Sequence, residues 1–288
     1  MKLHIGLGTT VGAITVFPVW HDGHVRSVRT YDTGSATLAV SEADTVPSVP
    51  TLQVTNSGEK PVLVLDGQLF EGGMQHRMAT RSTLVRAGGA MPIEVACVEQ
   101  SRWAGGTAQA TRGRRANLVV RDGYGAGGQE EVWRRIASYD AIAGRVSRTG
   151  SLAERLDTAS ADEQAKVLSA AVRPIGGQCG VLIGVGGQPL LLEVFDHPTT
   201  LREQLRPLYR AAALDAYGAP ALPTPARRAR RFAERLAQIQ VDLEPDVGQM
   251  GRLGRATNEH LDVAELRHRL STVHLRASYR RHPLLQAV

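Results

Sequence analysis

The chain has 288 residues, 42% of them hydrophobic and 22% charged, and a formal net charge of +6. Such a chain can bury a large core and is too apolar to stay disordered. No apolar run approaches the roughly 18–20 residues of a membrane helix. The opening "MKLHIGLGTTVGAITVFPVW" is broken by Gly, Thr and Pro and has no small-residue cleavage site, so the reading is cytoplasmic, without a signal peptide.

Residues 1–100 read as short strands. "HIGLGTTVGAITVFPVW", "HVRSVRTY", "VPTLQVTN", "PVLVLDG", "RSTLVRA" and "MPIEVACVE" are β-rich runs bounded by Gly, Pro, Asn and Asp. Asn56-Ser57-Gly58 marks a turn. No crossover helix interrupts these runs, so the sheet is expected to be largely antiparallel. Residues 104–128 are Gly- and Arg-rich without periodicity and read as a mobile surface loop, placed to act as a lid. From Gln129 the apolar positions Val132, Trp133, Ile136, Tyr139 and Ala143 are helically spaced, with Gly144 at the end. A second helix covers "SADEQAKVLSAAV", with Ser160 as its N-cap.

"CGVLIGVGGQPLLLEVFD" reads as a β-hairpin turning at Gly186-Gly187. "PTTLREQLRPLYRAAALDAYG" is a helix from Pro198 to Gly218, with a kink or restart expected at Pro207. The stiff "PALPTP" leads into the helix "ARRARRFAERLAQIQ", and "STVHLRASY" reads as a last strand. The expected class is α+β, arranged as a single domain over 1–288. Within it, 1–100 is β-rich, 104–128 is a Gly/Arg-rich loop, and 129–288 is helix-rich with a hairpin and a final strand.

Several chemistries find no support. "GLGTTVG" at residues 6–12 has the wrong spacing for a dinucleotide loop and runs into a β-like segment. There is no Walker A sequence, no CxxC, and the nine histidines are scattered, so no cofactor and no metal are expected. Cys97 and Cys179 read as separate reduced thiols, with Cys97 a buried structural residue. Basic residues are almost all Arg; Lys occurs only as Lys2, Lys60 and Lys166. That balance permits an anionic small molecule but is modest for a nucleic-acid binder, and the arginines of "ARRARRFAER" read as a solvated face.

The densest polar chemistry lies in "LVLDGQLFEGGMQHRMATRSTLV" (63–85) and "IEVACVEQSRW" (93–103). Strand alternation places Ile93, Val95, Cys97 and Glu99 on one face, with Arg102 and Trp103 in the turn beyond. Gln75 and Arg77 share a face if their stretch is extended. Two readings stand. Gln75, Arg77, Glu99 and Arg102 converge at a sheet end to cradle phosphate or carboxylate. Alternatively, Glu99 and Arg102 are a buried pair bracing that end.

These two stretches resemble a bacterial domain family of unknown function, named for its genome association with ADP-ribosylglycohydrolases and rhodanese/phosphatase-superfamily proteins. Members read DGEEL, then GAKQNR, then CVEQGRW; here the corresponding residues are Asp66-Gly67, Gln75 and Arg77, then Cys97, Glu99, Gln100, Arg102 and Trp103. "GGQEEVWRRI", "GGQCGVLI", "EVFDHPTTL", "ALDAYG" and "VHLRASY" also fit, so the resemblance covers most of the chain. The chain departs at the acidic pair, where it has Gln68 and Leu69, and at Met74 and His76. The resemblance implies no established reaction. Its genomic neighbourhood makes a nucleotide-like or ADP-ribose-like ligand the natural expectation.

The leading expectation is therefore a protein that binds an anionic nucleotide-like or ADP-ribose-like molecule. Arg77 and Arg102 would hold phosphate, Gln75 would assist, Trp103 would stack, and Glu99 would be the base if chemistry occurs. The rival is a non-enzymatic interaction module whose polar motifs are braces. An open ligand site expects Glu99→Gln to cost little stability; a brace expects a large loss.

Overall fold

The computed structural model describes residues 1–23, 28–34, 36–42, 48–143, 147–245 and 250–286. The class is α+β, and every strand ladder is antiparallel. The chain divides into two compact units, each assembled from separated stretches. One comprises residues 1–29, 162–246 and 251–287; the other comprises residues 30–161 with 247–250 and 288.

The first unit is built on a nine-stranded sheet. The hairpin Gly180–Val185 and Gln188–Phe195 lies in its middle, between strands Ile14–His21 and Ser271–Tyr279. Gly186 and Gly187 take φ of 57° and 84° in the two-residue turn, a conformation that only residues without Cβ adopt cheaply. Both hairpin strands are buried almost throughout, as expected of strands covered on two faces. Helix Ala226–Ala237 lays Ala229, Phe232 and Leu236 on Leu182, Leu192 and Val194. Helix Pro198–Asp215 also rests on the hairpin. It runs as one element through Pro207, and His197 caps it by accepting from the Thr199 amide at 3.1 Å. Pro207 therefore does not restart the helix.

Three strands, Asp242–Pro245, Arg252–Thr257 and Leu261–His268, extend the sheet beyond the final strand. The second half is helix-rich as expected, and it carries three strands more than the expected hairpin and final strand: Asp242–Pro245, Arg252–Thr257 and Leu261–His268 pair antiparallel in sequence with Ser271–Tyr279. Their many Arg and Glu residues hid the alternation, because only one face of these strands is buried.

The second unit is a closed six-stranded barrel. Its order is Ala90–Cys97, Thr51–Asn56, Leu38–Ser41, Ala108–Ala110, Leu69–Gly72 and Arg77–Ala79, returning to Ala90–Cys97. Val40, Val54, Phe70, Met91, Ile93 and Val95 fill its apolar core. A ribbon of Val62–Val64 with Thr83–Val85 joins the same core. The predicted turn after Asn56 is an Asx turn: the Gly58 amide donates to the Asn56 side chain at 2.9 Å.

The loop expected over 104–128 is also corrected. Ala108–Ala110 is a barrel strand, and helix Leu118–Ala143 begins eleven residues before Gln129, where the expected helix starts. Gly127 and Gly128 interrupt that helix with non-helical dihedrals, so the periodic half and the Gly-rich half read as different elements. The helix ends at Ala143; Gly144 lies outside the described residues, as does much of "HVRSVRTY". After the short helix Leu152–Leu156, helix Ala159–Ala171 already contains Ser160; Thr158 Oγ1 instead accepts from the Ala161 amide at 3.3 Å. No helix among the described residues is long and apolar enough to cross a membrane.

Candidate functional site

The four residues picked from the sequence do come together, at one end of the barrel. Arg77 Nη1 donates to Gln75 Oε1 at 2.8 Å, and Gln75 Nε2 donates to the Glu99 carbonyl at 2.9 Å. Arg102 Nε donates to Glu99 Oε2 at 2.8 Å, with Nη2 2.7 Å from the same oxygen. Barrel closure makes the junction, because Arg77 sits directly opposite Cys97 in the ladder.

Arg102 is fully committed. Its Nη1 donates to the carbonyls of Gly73 and Ala104 at 2.8 and 2.7 Å, and its Nη2 donates to that of Gly72 at 3.0 Å. With the two contacts to Glu99, all five guanidinium N–H groups are used. Gly72 and Gly73 hold φ of 108° and 55° in the loop that offers those carbonyls. A Cβ on Gly105 would stand 2.3 Å from the Gly73 carbonyl oxygen, so the turn after Trp103 approaches that loop closely.

Glu99 is equally occupied. Besides Arg102 it accepts from the His76 amide at 3.0 Å and from Thr149 Oγ1 at 2.9 Å. Burial alone would raise its pKa, but the hydrogen bonds from Arg102, His76 and Thr149 outweigh burial and hold the carboxyl below its ordinary range. A carboxylate stabilised in this way is a weak base. Its stabilising effect is complete above the unfolded value of about 4.3 and is lost as pH falls through the lower folded value. Urea unfolding of the wild type and Glu99→Gln, near neutrality and at about pH 3, checks this linkage. The stability gap between them is expected to narrow in acid; a constant gap contradicts it.

Arg77 differs. Its side chain is wholly buried, and its Nε and Nη2 make no hydrogen bond. Glu42 Oε1 lies 3.9 Å from Nη2, with Glu42 equally buried. Glu42 Oε2 and Gln109 Oε1 are also without a hydrogen-bond partner, although Gln109 Nε2 bonds Glu42 Oε1 at 3.2 Å and the Gln75 carbonyl at 3.0 Å. Trp103, 48% exposed, places its ring over the Arg77 guanidinium at 5.6 Å. Glu42 and Gln109 escaped the sequence reading. Glu42 directly follows strand Leu38–Ser41 and Gln109 lies in Ala108–Ala110, both far from Arg77 in sequence, and no spacing rule links them.

Cys97 fits its structural reading. Its thiol is buried and unpaired, and burial pushes its pKa up. Gln129 clamps its backbone by accepting from the Cys97 amide and donating to the Cys97 carbonyl, both at 2.7 Å. Where the resembling family has an acidic pair, Gln68 turns back on its own loop to accept from the Leu65 amide at 3.1 Å, and Leu69 is in the core.

Fold and site together define an α+β protein whose small closed barrel carries a buried, charged junction at one end. The chain belongs to the ARG and Rhodanese-Phosphatase-superfamily-associated Protein domain family, whose match spans residues 2–278. No curated protein and no solved structure matches it.

Proposed function

We propose that this protein is a cytoplasmic binder of an anionic, nucleotide-like or ADP-ribose-like molecule, seated at the barrel end on Arg77 and Trp103. The observation that carries this reading is the set of unpartnered buried atoms: Arg77 Nε and Nη2, Glu42 Oε2 and Gln109 Oε1. Each such group costs about 1–3 kcal/mol to leave unpaired, and charged groups cost more. A fold retains that cost where a ligand repays it. Phosphate or ribose oxygens answer the Arg77 donors, and ribose hydroxyls answer the two acceptors. Trp103 covers Arg77, so it must swing aside to admit the ligand, after which its ring can stack on a base or sugar. In this reading Gln75 positions Arg77, and Glu99 and Arg102 frame the site rather than face it.

The test is thermal unfolding with ADP-ribose, AMP and ribose 5-phosphate. A ligand at about 100 times its Kd stabilises the native state by about 2.7 kcal/mol. ADP-ribose is expected to raise the melting temperature, and Trp103→Ala is expected to reduce that rise while leaving the unliganded protein nearly as stable. No shift with any of the three sinks the reading. The rival, a non-enzymatic interaction module, draws its support from the saturation of Glu99 and Arg102, which is how a brace is built.

A further inference from the structure

Helix Ala226–Ala237 carries arginines on two of its faces, and its two grooves differ in charge. One groove, about 590 Å³, is lined by Lys2, His4, Arg230 and Glu234 among others, so an acidic residue accompanies its bases. The other, about 190 Å³, is lined by Arg228, Arg231 and Arg235 with Phe232, Gln188 and Tyr279. Among the described residues no carboxylate lines it. The three arginines lie at i, i+3 and i+7, which stacks them along one face of the helix. Like charges so spaced repel one another, and neither Arg231 nor Arg235 forms an ion pair with any described residue.

The cleft is also built rather than merely charged. Phe232 is 2% exposed and forms a fixed floor. Arg228 is pinned at one wall, where its Nη1 donates to the Gly187 carbonyl in the hairpin turn at 2.6 Å. Gln188 and Tyr279, from two neighbouring strands of the sheet, close the opposite side. These residues supply guanidinium forks, an amide and a phenol around one concavity, the donor set that recognises phosphoryl oxygens.

We propose that the cleft formed by Arg228, Arg231 and Arg235 against Gln188 and Tyr279 is a binding site for the phosphate or diphosphate group of a small molecule. Its volume sets how much of a ligand it can hold. Pockets for whole drug-sized ligands run to roughly 300–1,000 Å³, so this cleft holds a phosphoryl end and leaves the rest of the ligand outside. It lies within the nine-stranded unit and does not depend on the barrel-end reading.

The experiment is calorimetric titration of the full chain with inorganic pyrophosphate and, separately, with single-stranded oligothymidine. The variants are Arg231→Ala with Arg235→Ala, and Arg227→Ala, an exposed arginine of the same helix that does not line the cleft. Arg231 is exposed and Arg235 is half-buried, and neither side chain forms a hydrogen bond or ion pair with a described residue, so the variants are expected to fold; circular dichroism checks this. Saturable 1:1 pyrophosphate binding is expected, weakened about tenfold or more in the double variant, a loss of about 1.4 kcal/mol or more. Arg227→Ala is expected to stay within about twofold, because a charge facing bulk solvent is screened. Absence of pyrophosphate binding overturns the proposal. So does an equal loss in Arg227→Ala, which shows net charge alone at work. Binding of oligothymidine without pyrophosphate also overturns it, by making the helix a nucleic-acid surface.

Discussion

Replacing Arg77 by Met is expected to destabilise the protein by roughly 3–5 kcal/mol, and adding Glu42→Gln is expected to restore most of that loss. Both side chains are wholly buried, and their closest approach is 3.9 Å. Removing the arginine leaves the Glu42 carboxylate in a medium of low dielectric. Among the described residues it keeps the Met74 amide and Gln109 as hydrogen-bond donors, at 3.3 and 3.2 Å. Breaking a buried pair from one side strands a charge, whereas replacing both members with neutral side chains removes two desolvation costs together. The double variant also loses the unpartnered Nε and Nη2 of Arg77, which repay nothing in the unliganded fold. It is expected to be within about 1 kcal/mol of wild type. Under the binding proposal both variants lose response to ADP-ribose. Guanidinium unfolding and thermal shift, run on the same proteins, separate stability from binding. A stable double variant that still responds to ADP-ribose would show that Arg77 is not the contact. A double variant as unstable as the single one would show that the pair is a net stabiliser.

Arg102→Lys and Glu99→Gln are expected to cost toward the lower end of roughly 3–5 kcal/mol each, because the Arg102 side chain is 24% exposed and partly screened. Lysine offers three N–H donors from a single point where Arg102 places five in a planar fork. At least one of its four acceptors, the carbonyls of Gly72, Gly73 and Ala104 and the Glu99 carboxylate, therefore loses its partner, and at least two of the five contacts disappear. Glu99→Gln leaves the Arg102 charge against a neutral amide and weakens the contact that ties His76 and Thr149 to the same oxygens. The small loss that an open site would show is not expected, because no N–H of Arg102 is left for a ligand. Midpoint denaturant concentrations equal to wild type in both variants would show that the junction bears little of the barrel's stability.

The four residues of the candidate site were legible because CVEQ-x-RW and Gln75-His76-Arg77 each pack polar groups against apolar runs. Their convergence followed from strand ends meeting. Their division of labour did not follow. Arg77 and Arg102 carry identical side chains in similar sequence settings, yet one has every N–H bonded and the other has two polar atoms with none. The difference lies in what stands opposite. Arg102 faces loop carbonyls presented by Gly72 and Gly73, and Arg77 faces Glu42 and Gln109. Contacts of that kind join distant stretches of chain, and no periodicity records them.

By itself the sequence determined the α+β class, the antiparallel pairing, the Gly186-Gly187 hairpin, the long helix starting at Pro198 and the last strand at Ser271–Tyr279. Each rests on local physics: φ above zero at glycine, a proline tolerated in the first helical turn, alternation on a half-buried strand. Only the tertiary structure decided that Ala108–Ala110 completes a barrel, that Asp242–Pro245, Arg252–Thr257 and Leu261–His268 are strands, and that a helical stretch from Leu118 precedes the break at Gly127-Gly128. Closure of a barrel and extension of a sheet are set by partners elsewhere in the chain. Backbone hydrogen bonds and packing gained from those partners outweigh the weak local preference of Gly- and Arg-rich segments.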